Sequence, residues 1–332
     1  MDTLQSLQVI WFFLIGLLFT GYSLLDGFDL GIGSLLPILA RDRKETAVLF
    51  TAIGPVWDGN EVWLLTAGGA LFAAFPHVYA TVFSGFYLAM MLVLFALIFR
   101  AVSLEFWSMD EKRRSLWKWA FVMGSILPSI LFGVALGNLI LGIPLDGEMV
   151  FTGSFFTLLR PFPLAIGILG FSAILLQGCT FAAMKTEGVI HDRAKSMGKR
   201  ASLLFAVMIA VSALLSAVYM PESMSNVPAW ICAAVVLLSL IVGRIWMNKN
   251  NDAIPFIMSS LSFIGLWGIA GSLQFPNLVK SALNPELHLS IYNTSSSQLT
   301  LTVMLIIAAI GMPIVLAYTI YAYRVFKGRV NL

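Results

Sequence analysis

The sequence predicts an all-α, polytopic membrane protein: a single integral-membrane domain over 1–332, built as a bundle of nine transmembrane helices, N-terminus outside and C-terminus cytoplasmic. Three observations predict it. Of 332 residues, 59% are hydrophobic and 11% charged, against roughly 25% charged in a soluble domain, and the mean hydropathy is +0.90. Nine apolar stretches reach the ~20 residues a helix needs to cross hydrocarbon. The basic residues alternate between the loops that separate those stretches, as the positive-inside rule requires.

The predicted spans are 8–37, 47–75, 78–100, 117–141, 162–184, 201–220, 228–247, 254–274 and 299–323. Backbone groups in lipid must be satisfied within their own segment, so these are helices. The alternating segments of about 10 residues that mark an outer-membrane barrel are absent. The first span is too long for the apolar core of a secretory signal, and no Lys or Arg precedes it in 1–8, so it reads as a permanent helix. It carries Gly27 and Gly31 one turn apart, as the fourth span carries Gly133 and Gly137, and such pairs permit close helix contact. Pro55 lies inside the second span, where it removes a backbone donor and bends the helix. The third span closes on Arg100, and the ninth is followed by Arg324, Lys327 and Arg329. The longer loops are 101–116, 142–161, 185–200 and 275–298, the last of them polar, with Asn284-Pro285 and Ser295-Ser296-Ser297. With an outside N-terminus, 18 of the 20 Lys and Arg residues fall on inner segments and only Arg160 and Lys280 on outer ones. Removing any one helix would scramble that split.

Several function classes drop out. No basic stripe with interleaved aromatics suggests nucleic acid. Cys179 and Cys232 lie far apart in apolar spans and read as packing residues. Phosphate-binding glycine loops and Ser–His–Asp arrangements are absent. A haem held between these helices would need axial His or Met. His77, His191 and His288 fall in predicted loops, and Met is common apolar filler. No cofactor or metal site is therefore assigned to this chain, and any redox centre belongs to a partner.

Four carboxylates lie inside spans: Asp26 and Asp29 in the first, Asp58 and Glu61 in the second. A charge at the bilayer centre costs several kcal/mol, about 2.5–3.5 on insertion scales, and neither span holds a Lys or Arg to offset it. Each pair is three residues apart and shares a helix face. Counting from residue 47 at ~1.5 Å per residue, Asp58 lies roughly 16 Å and Glu61 about 20 Å into the second span. The short loop 38–46 makes the two spans neighbours. The order Asp29, Asp26, Asp58, Glu61 then steps from the cytoplasmic side to mid-membrane, as a proton-uptake route would. Asn60 adds donors and an acceptor to a hydrogen-bonded chain, and Trp57 and Trp63 are candidate sealing aromatics. Of the four, Asp58 and Glu61 read as the deeper pair. Asn138, Gln177 and Gln274 fit interhelical hydrogen bonds better than contacts to quinone or lipid headgroups. Two other readings suit the same acids: a proton- or cation-coupled secondary transporter, and a scaffold whose carboxylates serve assembly alone.

The chain resembles subunit II of the cytochrome bd quinol oxidases. The residues that carry the resemblance are Asp26-Gly27-Phe28-Asp29-Leu30-Gly31, Trp57-Asp58-Gly59-Asn60-Glu61-Val62-Trp63-Leu64 and Thr66-Ala67-Gly68-Gly69-Ala70-Leu71-Phe72-Ala73-Ala74. Ser84-Gly85-Phe86-Tyr87, Gly133-Val134-Ala135-Leu136-Gly137-Asn138 and Ser295-Ser296-Ser297-Gln298-Leu299-Thr300-Leu301 continue it in order, while 185–250 agrees only in hydropathy. The resemblance implies a nine-helix subunit of the bacterial inner membrane, paired with a haem-binding subunit I that carries haems b and d. It implies a complex that oxidises quinol and reduces dioxygen to water, with small single-helix accessory subunits, membrane lipids and quinone as further candidate partners. This chain would not catalyse alone. It would stabilise subunit I and supply cytoplasmic protons, with Asp58 as the carried-over acid and Asp26 and Asp29 as entrance groups.

Overall fold

A computed structural model describes residues 2–249 and 251–330; Met1, Asn250, Asn331 and Leu332 of the predicted domain lie outside them. Among the described residues the chain is almost wholly helical: α1 Thr3–Leu39, α2 Arg43–Ile53, α3 Trp57–Ala74, α4 Pro76–Gly85, α5 Tyr87–Met109, α6 Arg114–Leu141, α7 Pro161–Lys185, α8 Gly188–Tyr219, α9 Val227–Trp246, α10 Ala253–Gln274 and α11 Gln298–Val325. Eight of these (all but α2, α3 and α4) are long and apolar enough to cross a membrane.

Local chemistry sets the ends. Asp2 and Gln5 form a reciprocal capping box that starts α1 five residues before the predicted span. Asp42 caps α2 by accepting from the Glu45 amide at 2.8 Å. The predicted second span is split: Gly54 closes α2 on the Phe50 carbonyl, Pro55 offers no amide, and α3 restarts at Trp57. The predicted third span is split too, at Phe86, beside a Gly85 whose missing side chain leaves room for Phe151; an added Cβ would lie 2.8 Å from that ring's own Cβ. Two predicted loops shrink. Helix α5 runs on to Met109 and α8 begins at Gly188, so 101–116 and 185–200 are mostly helical. Hydropathy reports where lipid would stop, and backbone hydrogen bonding continues past that point. For the same reason His77 and His191 stand in the first turns of α4 and α8, not in loops.

The bundle is built around α1 and α7. Two-thirds of the most apolar stretch of α7 is buried (67%), against 6% in α11, so α7 is central and α11 peripheral. The α1–α7 crossing is close because Gly31 meets Gly178: a Cβ on Gly31 would fall 2.7 Å from the Gly178 Cα. Gly133 meets Gly167 in the same way between α6 and α7, at 2.8 Å, whereas Gly27 has ordinary space. Phe28 stacks on Phe181 at 3.9 Å between ring centres inside this core.

At one end, loops 142–160 and 275–297 close over the bundle. Ile143 donates to the Lys280 carbonyl and accepts from the Ala282 amide, each at 2.9 Å, and Ile143, Leu145, Val279, Leu289 and Ile291 are fully buried beneath. Two short antiparallel strands, β1 Asn277–Val279 and β2 Leu289–Ser290, stiffen this cap. At the opposite end Arg193 bridges to Glu45 at 2.6 Å and to the Leu39 carbonyl at 3.0 Å, tying α8 to the α1–α2 turn.

Candidate functional site

Asp26 and Asp29 lie in the most buried part of α1, and neither is exposed at all. The structure corrects one expectation here. Neither carboxylate span holds a cation, yet the third supplies one: Arg100, expected at the inner end of that span and counted with the inner basic residues, lies well inside α5 with 1% exposure. It reaches across to Asp26 with both terminal nitrogens, Nη1 donating to Oδ2 at 2.9 Å and Nη2 to Oδ1 in a still closer contact. A two-pronged guanidinium–carboxylate pair is the strongest ion-pair geometry available to side chains.

Asp29 has no such cation. Its Oδ2 accepts from the Asn60 side-chain amide at 2.8 Å, and its Oδ1 is buried without a partner. Asn60 also donates to the Leu25 carbonyl at 3.0 Å and accepts on Oδ1 from the Tyr323 hydroxyl at 2.9 Å. A single amide thus joins α1, α3 and α11. Trp63, one turn beyond Asn60, is buried and packs with Leu18, Tyr22 and Ala67. Gly21 makes that possible, because a Cβ there would sit 2.3 Å from the Trp63 ring.

Asp58 and Glu61 do not join this cluster directly. They lie in the first turns of α3, Asp58 exposed and Glu61 half-buried, and Trp57 is half-buried beside them. Among the described residues neither carboxylate has a hydrogen-bond or ion-pair partner within the chain. Asp26 and Asp29 are therefore the enclosed pair, although simple depth from residue 47 favours the other two. The break at Gly54–Val56 restarts the helix and turns Asn60 inward while Asp58 faces out.

Sequence reasoning missed Arg100, Tyr323 and Tyr22. For Arg100 a signal existed: Val93, Ala96, Arg100, Ser103 and Trp107 recur at helical spacing and form the buried face of α5. Tyr323 and Tyr22 carry no signal that separates them from ordinary interfacial or core tyrosines. Of the three amides expected to bond between helices, Gln177 does so, while Asn138 and Gln274 bond to the connecting segments next to their helices. Gln177 donates to the Leu24 carbonyl and to Ser260, Asn138 donates to the Leu158 carbonyl and accepts from Arg160, and Gln274 donates to the Leu278 carbonyl. Among the described residues no group of three or more His, Cys, Asp and Glu side chains is placed to hold a metal ion.

Fold and site define a polytopic helical membrane protein organised around enclosed carboxylates, with an exposed Asp58 and a half-buried Glu61 on α3. The chain belongs to the cytochrome bd terminal oxidase subunit II family, whose model matches residues 7–326. It is 34% identical to the probable cytochrome oxidase subunit 2 of Haemophilus influenzae, over 98% of this chain and 96% of that one. It is likewise 34% identical to the cytochrome bd-I ubiquinol oxidase subunit 2 of Escherichia coli, with the same coverage. The cytochrome bd ubiquinol oxidase subunit 2 of Bacillus subtilis is 31% identical, over 99% of this chain and 98% of its own. The fold matches a chain of the bd oxidase structure from Geobacillus thermodenitrificans with a TM-score of 0.81, at 18% identity and covering 97% of this chain and 98% of that one. The protein is thus a subunit of a respiratory terminal oxidase, and the transporter reading is not favoured.

Proposed function

We propose that this chain is the non-haem subunit of a complex that oxidises quinol and reduces dioxygen in the bacterial inner membrane, and that it stabilises a haem-bearing subunit I and supplies it with cytoplasmic protons. The haems b and d belong to that partner, and quinol is the substrate of the complex. The chain forms one integral-membrane domain and crosses nine times: the eight long apolar helices, with α4 completing the third crossing, plus α2 and α3 acting together as the second. The N-terminus is outside and the C-terminus cytoplasmic, in keeping with the 18-to-2 division of basic residues. Small single-helix subunits, lipid and quinone are further candidate partners.

One observation carries the reading. Asp58, Val62, Leu65, Gly69 and Phe72 are all exposed and recur at alternating spacings of four and three along α3. That is the seam a second helix packs against. An ionisable group facing hydrocarbon costs several kcal/mol, whereas a partner helix over this seam encloses Asp58 and Glu61 instead. The first two turns of α3 then carry carboxylates toward the partner and, through Asn60, an amide toward Asp29 on the interior side. Trp57 and Trp63 flank the turn and exclude bulk water. Asp58, Glu61, Asn60, Asp29 and Asp26 line the proposed proton route, with Asp26 ion-paired to Arg100 rather than carrying the proton itself.

Replacing Asp58 with Asn in the complete complex tests this. Oxygen consumption per haem falls about tenfold, equivalent to ~1.4 kcal/mol on the barrier, while haem content and subunit yield hold. Normal turnover would defeat the proton-supply assignment, and lost yield at normal specific rate would favour the assembly role.

A further inference from the structure

Asp26 and Asp29 share one face of α1, one turn apart and equally enclosed, yet their surroundings differ. We infer that Asp29 is held as a neutral carboxylic acid with its proton on Oδ1, and that it, not Asp26, is the exchangeable proton site inside the bundle.

Charge counting comes first. The described groups around the pair are Tyr22 and Asp26 from α1, Asn60 and the half-buried Glu61 from α3, Arg100 from α5 and Tyr323 from α11. Arg100 is the one cation among them, and both its terminal nitrogens are committed to Asp26. That pair is neutral as a unit. An ionised Asp29 would leave one uncompensated negative charge in a site closed to bulk water, and buried groups in that position neutralise instead.

The hydrogen bonds then fix which oxygen bears the proton. The Leu25 carbonyl can only accept, so the side of Asn60 that meets it must be the amide nitrogen. The same nitrogen faces Asp29 Oδ2, which is therefore an acceptor. The other end of Asn60 is an oxygen, so Tyr323 donates to it and sends no proton toward Asp29. Oδ1 is left as the protonated atom, and it is the carboxyl oxygen with no partner in the protein. Two other buried polar atoms of this neighbourhood are also unpartnered, the Tyr22 hydroxyl one turn from Asp26 on the far side from Asp29, and Arg100 Nε. Orphaned buried polar atoms are rare and mark sites for ordered water. A water there would accept a hydrogen bond from Oδ1 and pass the proton on as a replacement reaches Asp29, so that the acid is neutral again after each exchange. Asp26 cannot share the task, because protonating it would strand the Arg100 charge.

The inference draws its meaning in turnover from the proton-supply reading, but the protonation state stands or falls separately. The test is infrared spectroscopy of the whole purified complex in H2O and D2O, reading the carboxylic C=O stretch that only a protonated acid gives. Asp29→Asn is expected to remove one deuterium-sensitive band, and the charge-neutral double replacement Asp26→Asn with Arg100→Gln to remove none. Tyr323→Phe loosens Asn60 and is expected to shift that band without removing it, which decides the matter if the Asp29 variant does not assemble. A spectrum unchanged by Asp29→Asn, or by Tyr323→Phe where the Asp29 variant does not assemble, overturns the inference, as does loss of the band in the double replacement. Neither result depends on whether Asp58→Asn slows oxygen consumption.

Discussion

Arg100 on α5 grips Asp26 on α1 from across the bundle, and the two side chains are 2% and 0% exposed. Such a pair contributes little net stability, because desolvating both charges offsets their attraction; its significance lies in what removing one partner does.

Replacing Arg100 with Met leaves Asp26 buried without its partner, so it must bear an uncompensated charge or take up a proton. The expected loss is about 3–5 kcal/mol, read as a lower melting temperature and poor yield of the complex. Replacing both, Asp26→Leu with Arg100→Met, removes both desolvation costs and recovers most of that loss. A double-mutant cycle on thermal stability measures the coupling, and additive losses would mean the pair is not the enclosed unit described above.

The close crossing of α1 and α7 makes a second prediction. Gly31→Ala forces a Cβ to within 2.7 Å of the Gly178 Cα, so backbone must move. Overpacking of this kind costs about 1–3 kcal/mol, whereas Gly16→Ala, with nothing within 4 Å, is neutral or slightly stabilising. Parallel melts of the two variants check the contrast.

That contrast shows where sequence is informative. The spacing of Gly27 and Gly31 predicts close contact at both, but only the fold distinguishes the glycine that meets a backbone from the one that meets ordinary space. The helical, multi-pass character of the chain is legible because it follows from one-dimensional hydropathy. Arg100 is not, because a cation just past an apolar run looks the same whether the helix stops there or continues nine residues further. Nor is the inward turn of Asn60 beside the outward Asp58, which depends on how α3 restarts after Pro55. The pairing of Asp26 with a residue 74 positions away is a property of packing, invisible to spacing along one helix.

The cap supplies a pH prediction. Burial, with Lys280 nearby, pushes the His288 imidazole pKa below its usual 6.5, and the neutral ring accepts the Ser281 amide on Nδ1 at 2.9 Å. A base with a depressed folded-state pKa contributes stability that is present above the unfolded value and lost as pH falls through the folded one. Glu45 at the opposite end acts with the same sign at lower pH: burial opposes its charge, but hydrogen bonds from Arg193 and the Arg41 amide hold its pKa below 4.5. Protection of the Ser281 amide, its intrinsic exchange rate divided by the observed rate at the same pH, should fall below about pH 6.5 while the α1–α8 junction stays protected until the carboxylate range. A Ser281 protection factor that is constant between pH 7 and 5 would remove His288 from this role.

The docking seam proposed on α3 can be told from a lipid-facing surface. Leu65 is 76% exposed and Leu238 on α9 is 62% exposed, so in the isolated chain they look alike. Lipid accommodates a larger apolar side chain almost without cost, because acyl chains rearrange around it. A packed helix seam does not, and overfilling it costs about 1–3 kcal/mol, or roughly five- to hundredfold in association, since 1.4 kcal/mol is a factor of ten. Leu65→Trp should therefore reduce co-purification of the partner subunit, whereas Leu238→Trp leaves it unchanged. Trp is apolar enough that neither change introduces an unpaired charge, so the outcome reports packing alone. Equal recovery of the partner with both variants would place α3 against lipid. Asp58 would then need another explanation for its survival there.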